Sequence, residues 1–183
     1  MLLLLLSIIP PSQERGPPLR LPCNLTVNMG DELCDNNATT MRYHFDKETM
    51  TCLPFKYTGC GGNANNFPDS FTCTRHCIPM DYHNCPANAP PMKREDGTYG
   101  CNDRVKCPKG STCMKGFVIG LCCDNKEYEK YLNNAKPDCG HKKIVKDTSV
   151  EYSTPLFGKT CGHQFCPEKA ECHQGAFYAY CCL

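Results

Sequence analysis

The sequence has almost no net charge, and this shortage excludes two classes of partner. Twenty lysines and arginines stand against nineteen aspartates and glutamates, which leaves a formal net charge of +1 in 183 residues. Because the two signs are interspersed, the overall charge gives no electrostatic footprint for a phosphate backbone or an anionic membrane. We therefore expect neither nucleic acid nor a membrane among the partners.

Long apolar runs are equally scarce. Residues 1–9 form the one long apolar stretch, which is too short to cross a bilayer and is followed by two prolines. The stretch resembles the hydrophobic part of a secretory signal but lacks a basic start and a small-residue cleavage site. The proline-rich residues 10–22 cannot bury enough apolar surface to offset their ordering entropy. We interpret residues 1–22 as a signal-like remnant and an extended linker, with a disordered apolar tail as the alternative.

Catalytic and cofactor motifs are missing as well. The chain contains no Gly-x-Ser-x-Gly turn, no His-Glu-x-x-His pair and no phosphate-binding loop. Its six histidines are interpreted as surface or turn residues. Its cysteines are expected to be bridged and therefore unavailable as nucleophiles. The sequence thus predicts a protein that is not an enzyme and that needs no cofactor or metal.

Cysteine is the residue that the chain has in abundance. Its eighteen cysteines make up about a tenth of the chain, a density typical of small modules stapled by disulfides in an oxidising compartment. Neighbouring cysteines and histidines in residues 139–141, 161–163 and 172–173 leave zinc binding as an alternative, but intracellular zinc sites rarely need three sets of six cysteines. We expect a secreted, extracellular protein.

The first set of six cysteines lies between residues 23 and 77, with the spacing C-x10-C-x17-C-x7-C-x12-C-x3-C. Six further positions carry an aromatic, glycine and asparagine pattern: Phe55, Tyr57, Gly59, Asn65, Asn66 and Phe67. In these features the segment resembles the Kunitz/bovine pancreatic trypsin inhibitor family. The resemblance implies a small disulfide-rich α+β module, a twisted β-hairpin followed by a C-terminal helix. It also implies three disulfides: Cys23–Cys77, Cys34–Cys60 and Cys52–Cys73. Spacing alone would leave every pairing of the six open.

Local patterns within residues 23–77 agree with that fold. Residues 41–46 and 51–57 read as two strands of a hairpin joined by turn-forming residues. Pro54 cannot donate to a strand ladder, so its amide position must face outward or lie at a bulge. Asp69 is placed to cap a short helix that carries two cysteines on one face. The expected core consists of four aromatic side chains: Tyr43, Phe45, Phe55 and Phe67.

The resemblance also implies a function, the inhibition of a serine protease by a rigid, convex loop. The loop residues are Cys34, Asp35 and Asn36, supported by Gly59 and Cys60. Such a loop binds tightly because it is preorganised, and the residue after the second cysteine, here Asp35, fills the specificity pocket. A trypsin pocket carries a carboxylate, so an aspartate would meet charge repulsion and desolvation there.

The loop departs from the family pattern in ways that disfavour trypsin as a target. The cysteine interval on each side of Cys34 is two residues longer than is usual, which endangers the rigidity of the loop. Gly30 lies four residues before Cys34, whereas the family usually has glycine two residues before. Asn37 begins an N-glycosylation motif, as does Asn24. A glycan on Asn37 would obstruct a close-fitting protease cleft.

Two further sets of six cysteines follow and share one pattern. Residues 85–123 and residues 139–182 both end in C-P-x4-C-x2-G-x5-C-C, the self-similarity that marks tandem modules. The pattern resembles the lustrin-type cysteine-rich repeat; granulin-like or whey-acidic-protein-like modules fit it less well. Adjacent cysteines point apart in an extended chain, so the two members of each pair are expected to reach different partners. We expect loop-rich units with little regular structure.

Residues 124–138, between the two repeats, are interpreted as a linker. Tyr128, Tyr131 and Leu132 lie at helical spacing behind Asp124, a residue type that caps helices. The pattern predicts a helix of one or two turns that packs locally, with a partner-binding stripe as the alternative.

Two functional hypotheses follow. The first is a secreted Kunitz-family serine-type endopeptidase inhibitor with an atypical loop, whose partner is a serine protease. The second is a non-inhibitory structural or interaction protein of an extracellular matrix or cuticle, in which all three modules are binding surfaces. Fold does not decide between them, because function depends on the site.

Overall fold

The computed structural model describes residues 19–31, 39–148 and 153–183. Within these ranges the chain forms two α-helices, α1 (Ser70–Cys77) and α2 (Asn125–Ala135), and single 3₁₀ turns at Pro86–Asn88 and Cys161–His163. The strands are β1 (Thr40–Asp46), β2 (Thr51–Tyr57), β3 (Gly100–Cys101), β4 (Ser111–Lys115), β5 (Gly120–Asp124), β6 (Phe157–Gly158), β7 (Glu171–Gln174) and β8 (Ala179–Cys182). None of the helices in these ranges is long and apolar enough to span a membrane.

Strands β1 and β2 form the predicted antiparallel hairpin, with Tyr43 opposite Pro54. The amide of Tyr43 donates to the carbonyl of Phe67 at 2.9 Å, and the carbonyl of Tyr43 accepts from the amide of Phe67 at 2.8 Å. Tyr43 therefore uses both backbone groups on the side away from Pro54. The proline occupies a non-hydrogen-bonded position of the ladder, which confirms that its missing N–H faces outward.

Helix α1 begins where the sequence predicts, because the Asp69 carboxylate caps it. One carboxylate oxygen accepts from the amide of Thr72 at 2.6 Å. Cys73 and Cys77, one helical turn apart, are the buried residues of α1. The helix is joined to the hairpin by the Cys52–Cys73 disulfide and to the start of the module by the Cys23–Cys77 disulfide.

All four predicted aromatic side chains are buried. Tyr43, Phe45 and Phe67 form the core between hairpin and helix. Phe55 lies on the other face of the hairpin, where its ring contacts His44.

Beside this core Asn65 is completely buried. Its side-chain oxygen accepts from the amide of Phe45 at 2.8 Å, and its side-chain nitrogen donates to the carbonyls of Leu25 and Phe45 at 2.7 and 3.0 Å. One side chain thus satisfies backbone groups of two separate segments that run past the core.

The two cysteine repeats contain more regular structure than expected. Each forms a three-stranded antiparallel sheet, ordered β3-β5-β4 in residues 85–123 and β6-β8-β7 in residues 139–182. The central strand of each sheet carries the adjacent cysteines, because an extended strand sends them to opposite faces. Cys122 bridges Cys107, while Cys123 bridges Cys85. The repeats are loop-rich, as expected, because most of their residues lie outside these strands, but the sheet that carries the cysteine pair was not foreseen.

Both repeats share one disulfide order, first with last, second with fourth and third with fifth. The bridges are Cys85–Cys123, Cys101–Cys113, Cys107–Cys122, Cys139–Cys182, Cys161–Cys172 and Cys166–Cys181. The equal spacing of the last four cysteines and the equal connectivity of all six together show that the two segments are copies of one unit.

Helix α2 is longer than the one or two turns expected, with eleven residues. Asp124 caps it, accepting from the amides of Lys126 and Glu127 at 2.8 and 3.0 Å. Near its end Asn134 is buried and accepts from the amides of Phe177 and Tyr178 in the second repeat at 2.6 and 2.9 Å. Because α2 is fixed to the second repeat in this way, residues 124–138 are more than a linker.

We predict that Asn65→Ala lowers the free energy of unfolding by about 2–4 kcal/mol, because it leaves buried backbone groups of Phe45 and Leu25 without hydrogen-bond partners. Chemical denaturation of the oxidised protein measures the change. Asn133→Ala, at an exposed position of α2, is the control and should change the value little. Equal effects of the two substitutions would contradict the role given to Asn65.

Candidate functional site

The predicted inhibitory loop is only partly within the described residues. Cys34, Asp35, Asn36 and Asn37 lie outside them, and with them one end of the predicted Cys34–Cys60 bridge. The supporting residues Gly59 and Cys60 are described, and Cys60 is disulfide-bonded. The geometry available is therefore that of the two segments on which the loop stands, residues 28–31 and 57–62, which we call the loop base.

Backbone hydrogen bonds join the two segments of the loop base. The amide of Asp31 donates to the carbonyl of Cys60 at 3.0 Å, and the amide of Thr58 donates to the carbonyl of Met29 at 2.9 Å. The Thr58 hydroxyl reinforces the second contact by donating to the same carbonyl at 3.1 Å. Hydrogen bonds on both sides of Gly30 therefore hold the two segments together at the point where the loop begins.

Gly30 is the tightest point of the loop base. Its φ of +97° disfavours any other residue, and a Cβ atom here would lie 2.2 Å from the Thr58 hydroxyl oxygen and 2.4 Å from the Cys60 carbonyl oxygen. These contacts bear on the unusual position of Gly30 relative to Cys34. The glycine that packs against the second strand lies four residues before Cys34, so the extra length on this side falls between Gly30 and Cys34.

The second segment of the loop base also depends on glycine. Gly59, Gly61 and Gly62 have φ values of +105°, +67° and +82°, which lets the chain turn sharply after β2. The Tyr57 hydroxyl donates to the carbonyl of Gly61 at 2.9 Å. Sequence reasoning found the glycines but missed Thr58, whose hydroxyl makes the cross-segment contact; a threonine in such a turn carries no distinguishing pattern.

Of the two predicted glycosylation sites, only Asn24 lies in the described residues. Its side chain is exposed. The nearby Thr26 carbonyl accepts from the Asn63 side chain at 2.8 Å, which fixes this segment to the loop base while leaving Asn24 itself accessible.

The opposite end of the β1–β2 hairpin contacts the second repeat through an ion cluster. The Lys159 ammonium group donates to the carboxylates of Asp46 at 2.9 Å and Glu48 at 2.8 Å. Burial acts to raise the pKa of Asp46, but hydrogen bonds from Thr49 and Lys159 outweigh it and hold that pKa below its usual value. The charged form of Asp46 is thus the stable one at this contact.

Two uncharged contacts complete the attachment of the hairpin to the rest of the chain. The hydroxyls of Thr51 in β2 and Tyr178 in the second repeat lie 3.2 Å apart. The side-chain amide of Asn88, in the first repeat, donates to the carbonyl of Glu48 at 3.1 Å. Both repeats therefore contact the hairpin that ends in the loop base.

A buried histidine pair lies in the same contact. His44 in β1 is 2% exposed, so the prediction that all histidines are surface or turn residues was wrong. Its ring meets that of His163 edge to face at 5.1 Å between centroids, and both His44 ring nitrogens are buried without hydrogen-bond partners. Burial, with a smaller contribution from His163, lowers the pKa of His44 to about 4. Burial also lowers the pKa of His163.

The described residues give no support to the zinc alternative. Their one cluster with metal-ligand geometry is Cys101, Cys107 and Cys113. All three sulfurs are already in disulfides, and a disulfide sulfur lacks the thiolate charge that zinc requires.

Comparison with known proteins identifies the family. Residues 22–78 match the Kunitz/Bovine pancreatic trypsin inhibitor domain. The chain is 36% identical over 160 residues to a BPTI/Kunitz inhibitor domain-containing protein of Caenorhabditis elegans, a match that covers 87% of this chain and 88% of that protein. The chain belongs to the Kunitz/BPTI domain family. Its Kunitz domain occupies the first module, and the similarity extends beyond it into the cysteine repeats.

Two further relatives support this assignment. The chain is 34% identical over 174 residues to Major allergen Ani s 1 of Anisakis simplex, covering 91% of this chain and 89% of that protein. Tissue factor pathway inhibitor 2 of Bos taurus is 41% identical over 61 residues, which cover 33% of this chain and 25% of that protein. The Caenorhabditis elegans and Bos taurus relatives are inhibitor-domain proteins by name, and this Kunitz protein is not an enzyme.

We predict that Gly30→Ala destabilises the Kunitz domain by about 2 kcal/mol or more beyond the strain of a positive φ, because the new methyl group clashes with the second segment of the loop base. Gly110→Ala is the matched control, since Gly110 also has a positive φ, of +85°, but has open space around it. Differential scanning calorimetry measures the unfolding temperatures of the Gly30→Ala and Gly110→Ala proteins. Equal destabilisation would show that the contacts around Gly30 do not matter.

We predict that the protein loses stability as the pH falls from about 6.5 towards 4. The unfolded chain binds a proton at His44 near the usual pKa of 6.5, whereas the folded chain resists protonation down to about 4, so acid favours unfolding across this window and the stabilisation is complete above it. The size is on the order of 3 kcal/mol. Denaturant titrations across the window measure it.

His44→Phe should remove most of this pH dependence, because phenylalanine cannot take up a proton. His141→Phe, at an exposed position, is the control and should keep the dependence. A His44→Phe protein with the wild-type pH profile would exclude His44 as the cause.

Proposed function

We propose that this protein is a secreted Kunitz-type serine endopeptidase inhibitor whose loop is directed at a protease that accepts aspartate, and not at trypsin. The observation that carries the proposal is the intact loop base. Hydrogen bonds on both sides of Gly30 hold residues 28–31 against residues 57–62. An inhibitor of this kind needs a loop that is ordered before it meets the protease, because preorganisation reduces the entropy lost on binding.

The composition of the loop, by contrast, argues against trypsin-like targets. Asp35 stands where the specificity pocket is filled, and the pocket of a trypsin-like enzyme would place a second carboxylate beside it. The added residues between Gly30 and Cys34 lengthen the loop. A glycan at Asn37 would narrow the range of clefts that the loop can enter. A protease with a positively charged specificity pocket would instead attract the aspartate.

Secretion is supported by the cysteine chemistry. Eight disulfides join sixteen of the described cysteines, and such a number persists only in an oxidising compartment. The signal-like residues 1–9 and the exposed glycosylation motif at Asn24 agree with export. We propose that residues 23–77 form the Kunitz domain and that Asn24 and Asn37 carry glycans.

We further propose that residues 85–123 and 139–182 are lustrin-type cysteine-rich repeats. The shared spacing and the shared disulfide order support one repeated unit. Granulin-like and whey-acidic-protein-like modules stay the alternatives. Residues 124–138 would then connect the repeats through α2.

A second candidate function is a non-inhibitory extracellular matrix or cuticle protein. The contacts of Lys159, Tyr178 and Asn88 with the hairpin favour it, because they attach both repeats to the Kunitz domain. A binding protein would use surfaces of all three modules, while an inhibitor needs mainly the loop.

The substitution Asp35→Arg separates the two functions. If the loop is a competent inhibitory loop with an unsuitable residue, arginine should create trypsin inhibition, because it pairs with the pocket carboxylate that aspartate repels. We expect an inhibition constant for trypsin lower than that of the wild type by about 100-fold or more. The measurement is titration of active trypsin, before and after enzymatic removal of N-glycans.

Asp81→Arg adds the same charge at an exposed site outside the loop and should leave trypsin activity unaffected. No gain with Asp35→Arg, with or without glycans, would overturn the inhibitor proposal in favour of a binding protein. Sub-micromolar inhibition of trypsin by the wild type would contradict the role given to Asp35.

A further inference from the structure

The first repeat carries an exposed apolar turn that inhibition through the Kunitz loop does not use. Residues 116–119 join β4 to β5, and the side chains of Phe117, Val118 and Ile119 are 100%, 80% and 58% exposed. In residues 19–31, 39–148 and 153–183 this is the one place where three consecutive large apolar side chains are all exposed. Single exposed apolar residues are ordinary, but a run of three at the end of a hairpin indicates a binding surface.

The second repeat shows what the same turn looks like when it is covered. The amide of Gly116 donates to the carbonyl of Ile119 at 2.9 Å, and in the second repeat Gly175 donates to Tyr178 at 3.0 Å. Tyr178, the counterpart of Ile119, is 8% exposed. It is held by Asn134 of α2 and lies beside β2 of the Kunitz domain. In the second repeat the last residue of the turn therefore packs inside the protein although Ala176 is exposed, whereas in the first repeat all three apolar side chains face solvent.

The backbone of the exposed turn is nevertheless fixed by contacts with His83 and by disulfides in the adjoining strands. The ring of His83 packs against Gly116, and its Nε2 lies 3.0 Å from the carbonyl oxygen of Met114. The disulfides Cys101–Cys113 and Cys107–Cys122 fix the strands that lead to the turn. The apolar side chains of Phe117, Val118 and Ile119 are still mostly exposed.

The segment that ends in this turn has a local excess of positive charge, although Lys109, which precedes β4, lies at the opposite end of the sheet from the turn. Residues 102–119 contain four basic residues and one acidic residue, a local charge of +3, whereas the corresponding residues 162–178 contain one basic and two acidic residues, a charge of −1. Lys115 ends β4 beside the turn, and its ion pair with Asp103 at 2.7 Å brings the loop that contains Arg104 to the same end of the sheet. The overall charge of +1 conceals this local excess.

The shape and area of the turn distinguish between candidate occupants. Three side chains expose a few hundred Å² at most, well below the roughly 1,000 Å² that a stable protein partner or a second copy requires. The closed turn cannot extend into a protease cleft as a substrate-like strand. A lipid surface needs neither a large area nor a shaped pocket. Its affinity grows with buried apolar area and with the attraction of basic residues to anionic headgroups.

We propose that residues 116–119 insert into the surface of an anionic lipid membrane, with Arg104 and Lys115 at the headgroups. The expectation of no membrane partner rested on the overall charge and is revised by this local one. The site lies in the first repeat, includes no residue of the loop base, and does not depend on protease inhibition.

The absence of tryptophan from the chain allows a direct test. Phe117→Trp places a single reporter at the turn, and Ala176→Trp places one at the equivalent exposed position of the second repeat. Each protein is mixed with vesicles of phosphatidylcholine alone or of equimolar phosphatidylcholine and phosphatidylserine at low salt. We expect the emission of Phe117→Trp to shift to shorter wavelength with the anionic vesicles only, and that of Ala176→Trp to stay unchanged.

Sedimentation with the same anionic vesicles tests the wild-type residues. The double substitution Phe117→Ala and Val118→Ala should reduce the vesicle-bound fraction about tenfold or more, and high salt should also reduce it. The second repeat has alanine at the position of Phe117, so the turn tolerates it. Phe71→Ala, which removes another exposed phenylalanine, should leave binding unchanged.

Three outcomes would overturn the proposal. They are no wild-type binding to anionic vesicles at low salt, equal binding by the double variant, and a concentration-dependent dimer without lipid that the double variant abolishes. The double substitution can also be made in the Asp35→Arg protein. Loss of vesicle binding by that protein, with its trypsin inhibition unchanged, would support the proposal. That result would also show that the lipid site and the inhibitory loop are separate.

Discussion

Disulfide cross-links are the constraint on which the rest of this structure depends. Each module is too small for its apolar core to hold it folded, and each bridge adds roughly 2–4 kcal/mol by restricting the unfolded chain. In both repeats the bridges from two adjacent cysteines leave opposite faces of a central strand, so the cross-links determine where the strand must be. In the Kunitz domain the bridges Cys23–Cys77 and Cys52–Cys73 place α1 against the hairpin in the same way.

The bridges fix each module, and polar groups contribute to the contacts between modules. Lys159 joins two carboxylates of the hairpin, and the Thr51 and Tyr178 hydroxyls meet nearby. The β1–β2 hairpin is thereby supported at both ends, by the second repeat at the turn and by residues 28–31 at the loop base. A hairpin fixed in this way offers a stable support for a binding loop, which connects the packing of the repeats with the proposed function.

The sequence was sufficient wherever a short-range pattern decided the structure. Alternation predicted the hairpin, Asp69 and Asp124 predicted helix starts, and the aromatic pattern predicted the core. It was insufficient where long-range packing decided. His44 occupies a core position that carries no marker of burial in an alternating strand, and Lys159 meets Asp46 across 113 residues of chain. Asn134, near the end of α2, likewise has its hydrogen-bond partners in the second repeat.

The central claim is that this Kunitz domain is a preorganised inhibitor for a protease that accepts aspartate. The most direct measurement is a titration of an Asp-preferring serine protease with the oxidised, wild-type protein, followed by mass analysis of the products. We expect stoichiometric loss of protease activity with the bond after Asp35 largely intact. Full protease activity together with rapid cleavage after Asp35 would contradict it, because a loop that is cut without inhibiting is a flexible substrate.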